Sequence, residues 1–525
     1  MSSGFIGIIY NALSALLLVL LVGLLLTVLV MFVVDITQSR NAVRRNYPVI
    51  GRFRAMFEHL GTFFRQYFFA MDREEMPFNR AFRDWVYRAA KNQDSTIPFG
   101  STRDVSPIGS ISFVNCPYPT LEVDAAPTQA MIIGPDCPNP FEAGSLFNIS
   151  GMSYGALSKV AVQALSHGAS KAACWMNTGE GGLSPHHLSG GCDIVMQIGT
   201  AKYGVRDEAG NLSDEKLREL AAIEQVRMFE IKLSQGAKPG KGGILPGLKV
   251  TSEIAAIRGI PEGEDSISPN RHVEIDSPGE LLDMIARIRA VTGKPVGFKL
   301  VLGGCNALDA LFDEIKRRGD HSAPDFITLD SADGGSGAAP QPLMDFMGMT
   351  LKESLPMLID HLVGYGLRDR VRVICSGKLI TPSGVAWALC MGADFIVSAR
   401  GFMFALGCIQ AMQCHQNTCP TGITTHQKRL QRGLDPQDKA VRVWHYVENM
   451  RHDVGVIAHS CGVKHPRQLQ RRHARVVIQD GSSAGLHMIY PETEVGFPHG
   501  KNQNQQASTT EDTESTEETQ SRSHK

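Results

Sequence analysis

Residues 371–401 read VRVICSGKLITPSGVAWALCMGADFIVSARG. Two short apolar runs, VRVICS and DFIVS, flank a helical stretch at 383–391, and each run ends in a glycine turn with a basic residue, SGK at 376–378 and ARG at 399–401. Strand, glycine turn, helix and strand in succession is the repeating unit of a parallel sheet. The alternation begins at residue 145, with candidate strands at 145–149, 173–177, 194–198, 227–232, 295–301, 325–330, 371–376 and 394–398. Crossover helices are expected at 158–169, 278–291, 307–317 and 383–391. Eight units within about 260 residues predict an α/β fold of the (β/α)8 TIM-barrel type. An open doubly wound sheet would carry GxGxxG in its first turn, and no such turn is present.

A barrel of this kind does its chemistry beyond the C-terminal ends of its strands. Those are the places where the chain spends its glycines and polar residues: SGMSYGALSK at 150–159, NTGEGG at 177–182, QGAKPGKGG at 235–243 and SADGGSGAAP at 331–340, besides SGK and ARG. Backbone N–H groups at the last two make a phosphate cradle. Lys299, late in the apolar strand VGFKLVL, points toward the barrel mouth, where a cation stabilises negative charge on a reduced flavin. The group expected there is flavin mononucleotide, FMN.

Directly after the barrel comes GCIQAMQCHQNTCPTGITT, 407–425, with Cys408, Cys414 and Cys419 inside twelve residues and Pro420 behind the last. Structural zinc asks for four ligands, commonly in short Cys pairs, and no CxxC occurs in the chain. Thiolates closing on Cys-Pro fit an iron–sulfur cluster; three of them favour a three-iron cluster, or a four-iron cluster with one ligand from elsewhere. Three buried thiols are the plain alternative. Eleven cysteines at irregular spacing do not form a secreted disulfide framework and fit a reducing compartment. With 52 basic and 53 acidic residues in 525, charge gives no reason to expect a nucleic acid partner.

The segment 5–34 contains no charged residue, well past the ~20 apolar residues a helix needs to cross a bilayer. No basic residue precedes it, and Arg40, Arg44, Arg45, Arg52 and Arg54 come after it. The positive-inside rule then gives a single-pass anchor in the inner (cytoplasmic) membrane, with the catalytic part in the cytoplasm. The expected organisation is an anchor with basic flank at 1–45, a helical collar at 46–140, the FMN barrel with its iron–sulfur motif at 141–430, a helical extension at 431–498 and a disordered polar tail at 499–525. Collar helices are expected near 51–70 and 78–91, packed on the main domain, with a membrane-surface role as the alternative. The basic run 465–477 is read as helical, with Arg471 and Arg472 on a solvated face or on a docking surface for an acidic ferredoxin.

NTGEGG, IKLSQGAKPGKGGILPGLKV at 231–250, SADGGSGAAP and GCIQAMQCHQNTCPTGI closely resemble the synthase domain of glutamate synthase over roughly residues 140–430. The resemblance implies a barrel with FMN and a [3Fe-4S] cluster. It implies reduction of 2-iminoglutarate, formed from 2-oxoglutarate and ammonia, to L-glutamate, with electrons from a ferredoxin, a separate reductase or a membrane donor. It makes Cys408, Cys414 and Cys419 the cluster ligands and puts Met152, Ser153, Lys299, Gly334, Gly335, Ser376, Gly377 and Arg400 around the flavin. Lys232, Lys238 and Arg258 become the keto-acid residues, since two carboxylates call for such partners; Glu180, with Lys238, becomes a proton-handling residue.

Two departures matter. Where the family usually has GGQLPG, this chain has Ile244, so the amine or keto acid differs in one polar contact. An N-methylglutamate synthase-type reaction with an alkylamine is therefore an alternative, and a membrane-tethered flavin and iron–sulfur electron-transfer module is another. The chain also begins Met-Ser-Ser and shows no nicotinamide fingerprint, so neither a glutamine-hydrolysing nor a nicotinamide-binding domain is expected.

Overall fold

The computed structural model describes residues 2–479 and 481–496, so the tail expected from 499 lies outside the described residues. The chain divides into two compact units, Met1–Ala81 and Phe82–Lys525.

In the second unit eight parallel strands close on themselves: β1 (Phe147–Ile149), β2 (Met176–Asn177), β3 (Ile194–Ile198), β4 (Val226–Lys232), β5 (Val296–Leu300), β6 (Phe326–Asp330), β7 (Arg372–Ser376) and β8 (Phe395–Ser398). Closure is β8 on β1, with Val397 opposite Asn148. Every expected strand is present. β2 starts later than its apolar run because Ala173 is left-handed (φ 46°) and the Trp175 amide donates to the Asn148 side chain at 3.1 Å rather than to a ladder carbonyl. The crossover helices also form, at Lys159–Lys171, Pro278–Thr292, Asn306–Arg318 and Pro382–Cys390. Ser158 and Ser277 cap the first two in the expected way, accepting from Ala161 and Glu280 amides.

One end of the barrel is sealed by a part the sequence does not mark. Met131–Ile133 and Phe141–Ala143 form an antiparallel hairpin whose Ile133, Phe141 and Ala143 are buried with Trp175, Val195, Met228, Phe326 and Ile374. A helical collar is expected over this region, but three-residue strands are too short to show a period of two. With apolar side chains filling that end, the polar chemistry is left to the other.

A 25-residue helix, Pro436–Ser460, lies across Lys159–Lys171 so closely that a Cβ on Gly168 would stand 2.4 Å from Val443 Cβ. Its Tyr446 is fully buried, stacks edge-on against Phe147 and Phe402, and donates to the Ile380 carbonyl at 3.0 Å. Residues of Arg80–Ala90 reach the same region: Trp85 Nε1 donates to Asp453 (3.2 Å) and Tyr87 Oη to the Cys408 carbonyl (2.6 Å).

The run 465–477 is not the helix expected. It is two 3-10 turns, Pro466–Gln468 and Arg471–His473, then a strand, Ala474–Gln479, paired antiparallel with both Ile111–Phe113 and Ser482–Gly485. The β-branched run at 476–478 suits a strand rather than a helix. Arg471 is not on a free basic face either: it bonds to Asp360 and to the Tyr490 carbonyl.

In the first unit a helix runs from Ser2 to Thr37, and its Phe5–Thr37 stretch is long and apolar enough to cross a membrane. Two further helices come next, Ala42–Asn46 and Ile50–Phe64, the second continuing as a π-helix over Arg65–Phe69. The turn between them is tightly built. Asp35 takes two hydrogen bonds from Arg52, both at 2.8 Å, and one from the Val49 amide at 3.0 Å.

Candidate functional site

The open end of the barrel is lined by strand-end side chains that would be costly to bury alone. On its floor Glu230, in the middle of β4, accepts from Asn177 Nδ2 (2.8 Å), Gln197 Nε2 (2.6 Å) and Thr328 Oγ1 (2.5 Å). Each donor comes from a different strand, so this buried carboxylate fixes β2, β3, β4 and β6 to one another.

Above that floor two lysines stand side by side, Lys299 of β5 in register with Lys232 of β4. Both are buried and each has its own carboxylate: Lys299 Nζ lies 3.1 Å from Asp330 Oδ2, and Lys232 Nζ lies 2.8 Å from Glu180 Oε1. Burial works against the charge on Lys299, but Asp330, Glu230 and Glu180 outweigh it and its pKa is raised. Asp330 also accepts from the Gly236 amide at 3.0 Å. For Glu180 burial is again the largest influence, outweighed together by Lys232, Lys238 and Arg258, so it stays a carboxylate.

The loop 235–243 folds down over Glu180. A Cβ on Gly243 would stand 2.4 Å from Glu180 Oε1, so a larger residue there would push that carboxylate from its place beside Lys232. Lys238 arrives on the same loop and is buried, which pulls its pKa down to about 8 despite Glu180. Arg258, at the end of the helix Ser252–Arg258, donates to Ser266 Oγ (3.1 Å), Ser153 Oγ (3.5 Å) and the Tyr154 carbonyl (3.4 Å). Its Nε is buried without a partner, and its guanidinium lies over the Tyr203 ring. Ser266 belongs to the short ribbon Ile244–Leu245 with Ser266–Ile267, so the strand bearing Ile244 is tied to Arg258. Glu180, Lys232, Lys238 and Arg258 thus gather at one place, with Met152 and Ser153 at its edge.

A second group closes around the ends of β6, β7 and β8. The Ser331 amide donates to the Ser376 carbonyl at 2.9 Å and the Gly334 amide to the Ser331 carbonyl at 2.9 Å. Gly377 has φ +132°, and a Cβ there would fall 2.2 Å from Ser331 Cβ. Gly335 lies under Arg400, whose Nε would be 2.9 Å from an added Cβ. Arg400 donates through Nη2 to the Ser336 carbonyl and through Nη1 to Cys414 Sγ at 3.8 Å. Interlocked loops of bare backbone with one arginine at their edge fit a phosphate-bearing group.

The cysteine loop is the third group. Among the described residues no three His, Cys, Asp or Glu side chains are placed to hold a single metal ion. A cluster is larger than an ion and is held by thiolates, which the surroundings of these cysteines favour unequally. The Gln410 amide donates to Cys408 Sγ at 3.5 Å, and burial pushes that thiol's pKa up. Burial has the same tendency at Cys419, but hydrogen bonds from Thr421 and Thr424 outweigh it and its pKa is lowered. Lys249, buried between the Ala156 (2.7 Å) and Cys414 (3.3 Å) carbonyls, has its pKa lowered to about 8 by burial and is attracted by Cys414 and Cys419.

Sequence reasoning missed Glu230, Asp330, Ser266 and Lys249. The signal for three of them was there: a carboxylate inside VRMFEIK, another ending FITLD, and a lysine in LPGLKV. An ionisable residue in an apolar strand or an apolar loop is buried with a partner or is functional.

A family profile described as a conserved region in glutamate synthase matches residues 112–464, further on both sides than the motifs alone reach. The chain is 39% identical over 490 residues to the glutamate synthase large subunit-like protein YerD of Bacillus subtilis (strain 168), covering 86% of this chain and 93% of that one. It is 33% identical over 330 residues to the archaeal glutamate synthase (NADPH) of Methanocaldococcus jannaschii, covering 62% of this chain and 61% of that one. Among solved structures it is similar to the flavin-binding domain of baker's yeast flavocytochrome b2, with a TM-score of 0.44 and 13% identity over 81% of this chain and 83% of that one. A profile match across the whole barrel, and a relative aligned along nearly its whole length, leave one assignment: the chain belongs to the glutamate synthase family, a family of oxidoreductases.

Proposed function

We propose that this protein forms L-glutamate by reducing 2-iminoglutarate, made from 2-oxoglutarate and ammonia, and that it does so tethered to the inner membrane with its barrel in the cytoplasm. The observation that carries the reading is the convergence of Lys232, Lys238 and Arg258 on the single carboxylate Glu180 in a buried mouth. Three cations against one anion leave room for a ligand with two carboxylates, Arg258 pairing as a fork and the lysines as point charges. Imine formation releases water, and the reduction then consumes two electrons and two protons. FMN, held by Met152, Ser153, Lys299, Gly334, Gly335, Ser376, Gly377 and Arg400, and a [3Fe-4S] cluster on Cys408, Cys414 and Cys419 would supply the electrons, drawn from a ferredoxin, a reductase or a membrane donor. The chain's own part is binding, orientation and proton handling. Glu180 accepts N–H from the incoming amine. Lys238 Nζ, with its pKa near 8, is able to give a proton to the new amine nitrogen and recover it from solvent.

A second reading has one observation in its favour. Ile244 comes directly after Gly243, which is pressed against Glu180, so the residue next in the chain to the backbone over that carboxylate is apolar where the family usually has Gln. That neighbourhood suits an alkylamine and an N-substituted glutamate as product. Both readings are tested by one assay: anaerobic turnover of the purified full chain with an artificial reductant and a panel of keto acids and amines. Glutamate made only with 2-oxoglutarate and ammonium supports the first reading, and N-alkylglutamate supports the second. Reoxidation of the reduced protein by neither mixture overturns both.

A further inference from the structure

The segment beyond the N-terminal helix carries an apolar face that none of the described residues of its own unit covers. Ile50, Phe53, Phe57, Leu60, Phe64 and Phe68 recur at spacings of three and four along Ile50–Phe64 and its π-helical continuation, and all are exposed, Phe57 at 63% and Phe68 at 73%. Such spacing puts them on one side of the helix. Arg54, Glu58 and Arg65 lie on another side; Arg54 and Glu58 form an exposed ion pair at 3.0 Å. A stripe of this size left in water is a surface awaiting a partner.

The elbow before it says which partner. Asp35 belongs to the last turn of the helix Ser2–Thr37 and is 1% exposed. Its carboxylate is fully engaged by Arg52 and the Val49 amide. Val49 is held at φ 65°, a conformation that a β-branched residue avoids, and Gly51 packs so near Val43 that a Cβ would meet its carbonyl at 2.9 Å. The second helix is thereby pinned by its first turn to the end of the first, the level at which a spanning helix leaves the hydrocarbon. It does not lie along that helix, whose side chains from Phe5 to Val30 are all exposed. The elbow itself carries two further exposed arginines, Arg40 and Arg45. Phenylalanines on one side and arginines on the other are the composition of a helix lying in the headgroup region. A coiled coil with a second copy is the other use of a three–four spacing, but this stripe, 19 residues or just under three heptads, is mostly Phe, where coiled coils want Leu and Ile.

We propose that Ile50–Phe69 lies flat in the bilayer surface, its Phe stripe among the acyl chains just below the headgroups and its arginines toward anionic lipid. The proposal rests on the reading that Phe5–Thr37 crosses the bilayer.

The test is fluorescence quenching of the full chain in vesicles of phosphatidylglycerol and phosphatidylcholine carrying bromine either high or low on the acyl chain. Single substitutions Phe57→Trp, Glu58→Trp and Leu20→Trp report in turn the stripe, the polar side and the middle of the anchor, each against the unsubstituted chain. The expected result is strong quenching of the Phe57→Trp signal by shallow bromine, at least twice that by deep bromine, with little at Glu58→Trp and the reverse depth preference at Leu20→Trp. Quenching at Leu20→Trp with none at Phe57→Trp overturns the proposal and leaves the anchor standing. A blue-shifted but unquenched Phe57→Trp also overturns it, and puts protein, such as a second copy, over the stripe. No quenching at Leu20→Trp removes the anchor and the proposal with it.

Discussion

Lys299 and Asp330 are worth more as a pair than either is alone. Removing the ammonium in Lys299→Met leaves a carboxylate buried and uncompensated, a defect costing about 3–5 kcal/mol. Urea unfolding should show a loss of that order, and adding Asp330→Asn should recover most of it; a single variant as stable as the parent would mean the pair is not buried. Lys238 offers a pH handle. Its pKa, lowered by burial to about 8, makes it a cation below that pH and neutral above it. If it binds the keto acid as a cation, KM for 2-oxoglutarate should be flat below pH 8 and climb above it, approaching tenfold per unit for a single proton. Lys238→Arg should flatten the climb, while a parent KM unchanged to pH 9.5 would show that its charge is not used for binding. At this scale the sequence was legible in a particular way. Lys232, Lys238, Arg258 and Glu180 could be picked out because the chain resembles the synthase domain of glutamate synthase at those positions. Their pairing could not, because which carboxylate meets which lysine depends on barrel closure, and Glu230 gathers donors from positions 177, 197 and 328.

Among the elements, the helix Pro436–Ser460 is locked onto the barrel through Tyr446. Tyr446→Phe keeps the ring contacts with Phe147 and Phe402 but leaves the buried Ile380 carbonyl without its donor, a loss of about 1–2 kcal/mol. Thermal unfolding should register a fall of a few degrees; no change would mean water reaches that carbonyl. The eight strands were readable because each is an apolar run followed by glycine, several with a helical stretch before the next, and a parallel sheet buried on both faces needs no alternation to be recognised. The hairpin 131–143 and the sheet formed by 111–113, 474–479 and 482–485 were not. Their strands are three to six residues long, and what makes them strands is a partner elsewhere in the chain rather than a local pattern.

For the molecule as a whole, the first unit and the second make separable predictions. Deleting residues 2–37 should move the protein from the carbonate-resistant membrane pellet to the soluble fraction, since Phe5–Thr37 is the one span-length apolar helix among the described residues. The truncated protein should retain near-parent circular dichroism per residue, because the unit beginning at Phe82 is compact by itself. A deletion variant that stays in the pellet would mean that something else holds it there. The sheet joining Ile111–Phe113 to Ala474–Gln479 has a bearing on how such a chain is made. The ribosome delivers 111–113 first, and their partner emerges roughly 360 residues later, a long wait for a short strand. Until then its edge is open to any passing chain, so nascent forms stopped short of residue 474 are the ones for which a chaperone would matter most.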